Sequence, residues 1–483
     1  MVGMNTHPYV VVANRLPCER AADAWRASPG GVVTALTPVT EHSRGAWVGW
    51  AGGETAEEPR THHGMPLIPV ALGSAEIDAY YEGFANATLW PLYHTNVSTP
   101  QFRRSWWEAY VAVNRRFAEV TAEVCAPDAT VWIHDYHLQL VPRLLRELRP
   151  DVRIGFFSHI PFPSVDLFAQ LPWRTEILEG ILGADVIGFQ RRRDVRNFEA
   201  ACAALLGPAS TASATVIDAY PVSVDVGHIR DIAGSGQAQA EATRIRADLG
   251  EPETLLLGID RLDHTKGILE RLLALEELFD NGTLDPRTTR MVQVAVPSRE
   301  RIPAYRQLRE DIERTVGRIN GKFAGLAGTT IHYLHRDYAF ESVIAWYLAA
   351  DVLLATSMRD GMNLVAKEYV TARAGRGGAL VLSEFAGAAD ELTDALIVNP
   401  HDREAMVQAI AEAVAMDAGA ARARIDAMAE VVADHDVYAW ANRFTGDLAE
   451  VAAEDPADAA VAAAPAPSAA SPAAAAAPAQ WMI

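Results

Sequence analysis

The sequence predicts an α/β protein built as two Rossmann-like domains that face each other across a cleft. Three observations carry this reading. Short apolar segments alternate with helical patterns along almost the whole chain, at a spacing that suits βαβ units in parallel sheets. Many of those segments lack the period-two alternation of a half-exposed sheet, as expected when helices cover both faces. A polar, glycine-containing break between residues 221 and 253 divides the pattern, and 483 residues are too many for one ordinary core.

Taken in order, the first half is expected to hold strands at 9–13, 130–134, 153–158 and 185–189. The run Pro221-Val222-Ser223-Val224-Asp225 closes it, and Gly234-Ser235-Gly236 leads to a new start at Glu251-Pro252-Glu253. The second half is expected to hold strands at 254–259, 291–296, 330–334, 351–355, 379–382 and 395–398. This sets an N-terminal domain at 1–225 and a C-terminal domain at 226–436. From Ala452 onward the chain is Ala, Pro and Ser with little else, so 452–483 is expected to be a disordered tail.

A net charge of -20 argues against a nucleic-acid surface, which needs a basic stripe. It leaves room for an anionic substrate, because a few Arg and Lys residues dominate the field inside a cleft. Cys18, Cys125 and Cys202 are far apart and show no metal-type spacing, so free thiols are expected. No apolar run suits a signal peptide or a bilayer span, which points to a cytoplasmic protein with no membrane partner.

Two strand–turn–helix runs carry the chemistry. Arg359-Asp360-Gly361-Met362-Asn363-Leu364-Val365-Ala366-Lys367-Glu368 follows a buried-strand pattern and turns at glycine into a helix. Backbone N–H groups at such a helix start suit a phosphate, and Glu368, one turn further, suits a sugar hydroxyl. Upstream, the strand at 254–259 leads into Asp260-Arg261-Leu262-Asp263-His264-Thr265-Lys266-Gly267, followed by Ile268, Leu272, Leu275 and Phe279 at helical spacing. Arg261 and Lys266 are thereby set on the loop at the carboxyl edge of a strand, where open α/β sheets bind ligands. A guanidinium and an ammonium there suit a departing diphosphate. Gly30 and Gly31 permit a close backbone approach to the same group. Arg15 ends the first strand, and Asp135 ends another between His134 and His137. His134 and Asp135 point to opposite faces, so no metal site is read there. His159 precedes Pro161 and Pro163 in a rigid loop at a strand end.

These runs resemble the trehalose-6-phosphate synthase family of retaining glycosyltransferases. The resemblance also rests on Asn14-Arg15-Leu16-Pro17, Leu89-Trp90-Pro91, Trp132-Ile133-His134-Asp135-Tyr136-His137-Leu138, Gly155-Phe156-Phe157-Ser158-His159-Ile160-Pro161-Phe162-Pro163, Gly317-Arg318-Ile319-Asn320-Gly321 and Phe385-Ala386-Gly387-Ala388-Ala389. They stand in family order over roughly nine-tenths of the chain. The resemblance implies the GT-B arrangement, a last helix at about 437–450 that crosses back to the first domain, and no cofactor or metal. It implies a nucleotide-glucose donor held by Gly30, Gly31, His159, Arg261, Lys266, Asp360, Gly361, Met362, Asn363, Leu364 and Glu368. It implies glucose 6-phosphate as acceptor, held by Arg15, Tyr81, Trp90, Asp135 and Arg299, with Asp135, His159, Arg261, Lys266 and Asp360 at the reacting centre. Tyr81 and Trp90 would serve equally as core aromatics.

The sequence departs from the family pattern at Asp260 and His264-Thr265, at Ala355-Thr356-Ser357-Met358-Arg359, and along residues 337–347. The last two fall where the resemblance sets the donor base, so UDP-glucose and GDP-glucose stand as equals. Two other functions stay open: a related transferase joining a pseudo-sugar through nitrogen in natural-product assembly, and a non-catalytic sugar-phosphate sensor. The oligomeric state, a homo-oligomer included, is not readable.

Overall fold

The computed structural model describes residues 7–21, 24–27, 36, 45–53, 60–62, 64–95, 97–208, 210, 215–323, 325 and 328–451. The tail from residue 452, and with it the expectation of disorder there, lies outside the described residues. The strands of the first half are β1 (His7–Arg15), β2 (Cys18–Ala21), β3 (Ala24–Ala27), β4 (Ala46–Trp50), β5 (Arg60–His62), β6 (Met65–Pro69), β7 (Cys125–His134), β8 (Arg153–Phe157), β9 (Val186–Phe189) and β10 (Val216–Ala219). Eight of them form one sheet in the order β10-β9-β8-β7-β1-β4-β6-β5, and β2 and β3 form a separate hairpin. Only β5 runs antiparallel to its neighbour in the large sheet. Val10, Val11 and Val12 are all fully buried, so both faces of β1 are covered and alternation is lost, as the sequence suggested.

The second half gives β11 (Thr254–Arg261), β12 (Thr289–Val296), β13 (Ile331–Leu334), β14 (Val352–Ala355), β15 (Ala379–Ser383) and β16 (Leu396–Val398). Their order is β13-β12-β11-β14-β15-β16, parallel throughout. Two doubly wound α/β sheets are therefore present. In each, neighbouring strands send their connections in opposite directions at one place, β1/β7 in the first sheet and β11/β14 in the second. A crevice opens at the carboxyl ends of such a pair, and it is the site favoured by ligands.

The expected strands are all present, with ends shifted by a few residues; β7 extends back to Cys125 and β11 forward to Arg261. β2 to β6 and β10 were not expected from the sequence. β6 carries Pro66 and Pro69, which argue against a strand with neighbours on both sides, and β4 is interrupted by Gly49.

The helices Val226–Gly234 and Gly236–Asp248 pack on Phe340–Ala349, on the side of the second sheet. The last helix, Val437–Glu450, lies instead on β8 and β9 of the first. There Phe444 is fully buried and stacks on Trp132 with ring centroids 4.8 Å apart. Among the described residues, no helix is long and apolar enough to cross a membrane, and the three cysteines are buried.

Candidate active site

The first sheet delivers three groups of residues to its β1/β7 crevice. Arg15 is the last residue of β1, and its carbonyl accepts the Trp47 indole N–H at 3.0 Å. Its guanidinium lies over the rings of Trp50, 4.1 Å from the centroid, and Tyr81, at 5.3 Å. Tyr81 sits on Ile77–Leu89, a helix wound with wide π turns of the kind that gather at functional sites. Asp135 follows β7 with φ of 74°, and its Oδ1 accepts the His159 backbone N–H at 3.2 Å. Burial pushes the Asp135 carboxyl up to about 7, against the backbone N–H groups of Tyr136 and His159 and the charges of Arg261 and Arg299. The neighbouring His134 has its Nδ1 3.1 Å from His159 Nε2. Burial holds His159 down to about 3 and His134 well below its usual range, so both rings are neutral at pH 7.

The second sheet delivers its residues to the β11/β14 crevice. Arg261 is the last residue of β11 rather than part of the loop after it; it is exposed and lies 5.2 Å from the Trp90 ring centroid. Lys266 ends the short turn His264–Lys266, and its Nζ donates to Asp360 Oδ2 at 2.5 Å. Asn363 Nδ2 and Ser357 Oγ also donate to that oxygen, at 3.2 and 3.3 Å. Burial alone would raise the Asp360 carboxyl, but Lys266, and then His94 and Arg261, outweigh it and hold it below its ordinary value.

Asn363, at φ of 85°, caps the helix Leu364–Arg373 by accepting the Ala366 N–H at 3.0 Å. The N–H groups of Leu364 and Val365 have no acceptor within the helix. Glu368 is buried and accepts the Tyr347 hydroxyl at 2.6 Å; burial raises its carboxyl and that hydrogen bond opposes the rise.

The two halves meet at these edges. A Cβ added to Gly361 would lie 2.3 Å from the His159 carbonyl oxygen, so only glycine fits the seam between the Asp360 run and the β8 loop. The Met362 carbonyl accepts the Ala388 N–H at 2.7 Å, which fixes the run from its other side.

Trp90 and Arg299 form a second bridge. Arg299, expected to help hold the acceptor phosphate, has an almost fully enclosed side chain. Its Nε donates to Asn86 Oδ1 at 2.8 Å and its two terminal nitrogens to the Tyr305 hydroxyl at 2.9 Å and the Tyr136 hydroxyl at 3.3 Å. It also pairs with Asp263 and covers the Trp90 ring at 3.8 Å. The Trp90 N–H in turn donates to Asp263 Oδ1 at 3.4 Å, so the tryptophan is both buried and part of the cluster. Burial would raise Asp263, yet Arg299 and Arg261 hold it well below the carboxylate range.

Asp263, Asn86, Tyr136, Tyr305 and Trp50 were not foreseen. Asp263 and Tyr136 lie inside quoted motifs, whereas Asn86, Tyr305 and Trp50 lie in none of them. Three of the six non-glycine residues with positive φ among those described are Asp135, Arg299 and Asn363. Gly30 and Gly31 lie outside the described residues. Among the described residues, no group of three His, Cys, Asp or Glu side chains is placed to hold a metal ion.

Against known proteins, the model of glycosyltransferase family 20 matches residues 4–450. The chain is 49% identical to the trehalose-6-phosphate synthase of Mycobacterium sp. strain KMS over 475 residues, covering 94% of this chain and 97% of that protein. It is 49% identical to the Mycobacterium marinum trehalose-6-phosphate synthase over 479 residues, covering 94% and 96%. Among solved structures, it is similar to an α,α-trehalose-phosphate synthase (UDP-forming) from Burkholderia xenovorans in complex with glucose-6-phosphate. That likeness has a TM-score of 0.84 at 33% identity, over 91% of this chain and 99% of the other. An E. coli structure bound with UDP-2-fluoro glucose gives a TM-score of 0.82 at 33% identity, over 91% and 98%.

Proposed function

The chain belongs to glycosyltransferase family 20, and from that premise we propose that it transfers glucose from a nucleotide-glucose donor to glucose 6-phosphate, forming α,α-trehalose 6-phosphate and a nucleoside diphosphate. One observation carries the reading. The Lys266–Asp360 pair of one sheet and the Asp135–His159 pair of the other are brought to a common seam at Gly361.

In this reading the donor diphosphate lies between Arg261, Lys266 and the free N–H groups at the start of helix Leu364–Arg373. Glu368 takes the ribose hydroxyls. Asp360 and neutral His159 hold the transferred glucose. Arg15, seated on Trp50 and Tyr81, receives the acceptor phosphate together with the Trp90–Arg299 cluster, and Asp135 accepts a hydrogen bond from an acceptor hydroxyl. The bond from the anomeric carbon to the diphosphate breaks as the acceptor oxygen enters from the same face, so configuration is retained. The acceptor proton passes to the leaving diphosphate oxygen. The protein's part is to neutralise charge that grows on the diphosphate and to aim the hydroxyl.

The donor base is uridine or guanosine. The UDP-forming relatives favour uridine, while Ser357-Met358-Arg359 and residues 337–347 depart from the family pattern where the base is expected. Nucleoside diphosphate release with glucose 6-phosphate, compared across UDP-, GDP- and ADP-glucose, tests both points. Acceptor-dependent release with one donor supports the transferase and names its base; none with any donor removes the reading in favour of a sensor or a pseudo-sugar transferase.

The Asp135 carboxyl, raised to about 7, makes a pH prediction. As the pH falls from 8 to 6 it protonates and loses an acceptor site, so KM for glucose 6-phosphate rises, and Asp135→Asn flattens that limb. Stability runs the other way. A carboxyl raised on folding contributes fully below its unfolded value near 4. That contribution is lost as the pH climbs through about 7. Initial rates and melting curves across this range separate the two effects.

A further inference from the structure

Lys367 is fully buried, next in sequence to Glu368 but facing away from it. Its Nζ donates to the Val222 carbonyl at 2.9 Å and lies 2.6 Å from the Glu391 carboxylate. Val222 belongs to the segment that joins the two sheets, between β10 and the helix Val226–Gly234. Its own N–H donates to Gln190 Oε1 at 2.9 Å, and Gln190 directly follows β9 of the first sheet. One residue of the linker is thus gripped on its N–H by the first half and on its carbonyl by the second. The return crossing lies alongside, where the Val437 N–H donates to the Val224 carbonyl at 3.1 Å and the Tyr438 hydroxyl to Asp225 at 2.9 Å. Glu391 follows the turn Gly387–Asp390, whose Asp390 pairs with Arg191 of the first half at 2.5 Å.

We infer that Lys367 is a positioning residue that fixes the Leu364–Arg373 helix to the interdomain linker and so sets where its N-terminus and Glu368 stand against the first half. Burying an ammonium is costly, and well-packed apolar residues usually replace a buried ion pair without loss of stability. A pair kept only for stability would therefore be replaceable by a neutral one. A strut is not, because the Val222 carbonyl has to be held by a donor at that place. The inference rests on the reading that this helix binds the donor diphosphate and ribose.

The test uses the full chain with both charges removed together, Lys367→Met with Glu391→Gln, so that no buried charge is left alone. The expected result is a melting temperature near that of the parent, a donor KM raised at least tenfold, and a KM for glucose 6-phosphate within twofold. Gln190→Leu, which frees the other end of Val222, is expected to raise the donor KM in the same direction. It decides the matter by itself if the double variant fails to fold. Calorimetric titration with UDP and GDP reads the donor side without turnover, and the nucleotide that binds the parent is expected to bind the variants at least tenfold more weakly. A parental donor KM and nucleotide affinity in a folded variant overturns the strut, as does an equal rise in both KM values. A parent chain that binds neither nucleotide and releases none overturns the functional reading itself, and the strut with it.

Discussion

Replacing Arg261 by Ala is expected to lower kcat about 10³-fold while leaving the melting temperature unchanged. Arg261 is exposed at the end of β11 and lies against Trp90, with the diphosphate expected beside it. A positioned cation at a developing negative charge contributes about 10²- to 10³-fold, and more where the charge is a phosphate. Lys266→Ala is expected to match that loss and to destabilise the fold as well. Its Nζ is the cation on Asp360 at 2.5 Å, and both side chains are about 85% enclosed. Removing one member of a buried pair costs about 3–5 kcal/mol because the other is left charged and unpaired. Neutralising both, as Lys266→Met with Asp360→Asn, should recover the melting temperature but not kcat. Calorimetry beside nucleoside diphosphate release distinguishes the two cations: near-parental turnover in both single variants would remove them from the diphosphate site.

The contrast between these two residues also marks what the sequence could reveal. In the second sheet β11, β14 and β15 are buried on both faces, so each appears as a largely apolar run. The cationic loop after β11 could be placed at a carboxyl edge from that alone. In the first sheet composition opposed the fold in two of the missed strands, with two prolines in β6 and a glycine in β4, while β5 and β10 are only three and four residues long. At the site, the carboxyl-edge positions of Arg15, Asp135 and the Asp360 run could be read from their own motifs, whereas Asp263 and Tyr136, inside quoted motifs, were still missed.

Contacts between distant segments were not legible. Arg299 and Asn86 are 213 residues apart, and Trp90 and Asp263 are 173 apart. Nothing in a local pattern says that an arginine is already satisfied by an aspartate, an amide and two phenols. The enclosure of Arg299 follows from the two sheets meeting edge to edge.

That edge-to-edge meeting leads to the second large effect, Gly361→Ala. An added Cβ would lie 2.3 Å from the His159 carbonyl oxygen and 3.3 Å from the His159 carbonyl carbon. A carbon and an oxygen settle at about 3.3 Å or more. The obstacle is backbone, so no side-chain rotation relieves it, and the seam has to open by about 1 Å. Overpacking of this kind costs about 1–3 kcal/mol. A displacement of about 1 Å between groups that must act together costs about 10²-fold in rate. Here the displaced groups are Asp360 on one side and His159 with Asp135 on the other. The expected result is a kcat/KM lowered about 10²-fold at a modest cost in melting temperature. Gly446→Ala is the control, since an added Cβ there meets nothing within 4 Å. An unchanged kcat/KM in Gly361→Ala would mean that the seam yields freely and that the two halves do not need this contact to align the reacting groups.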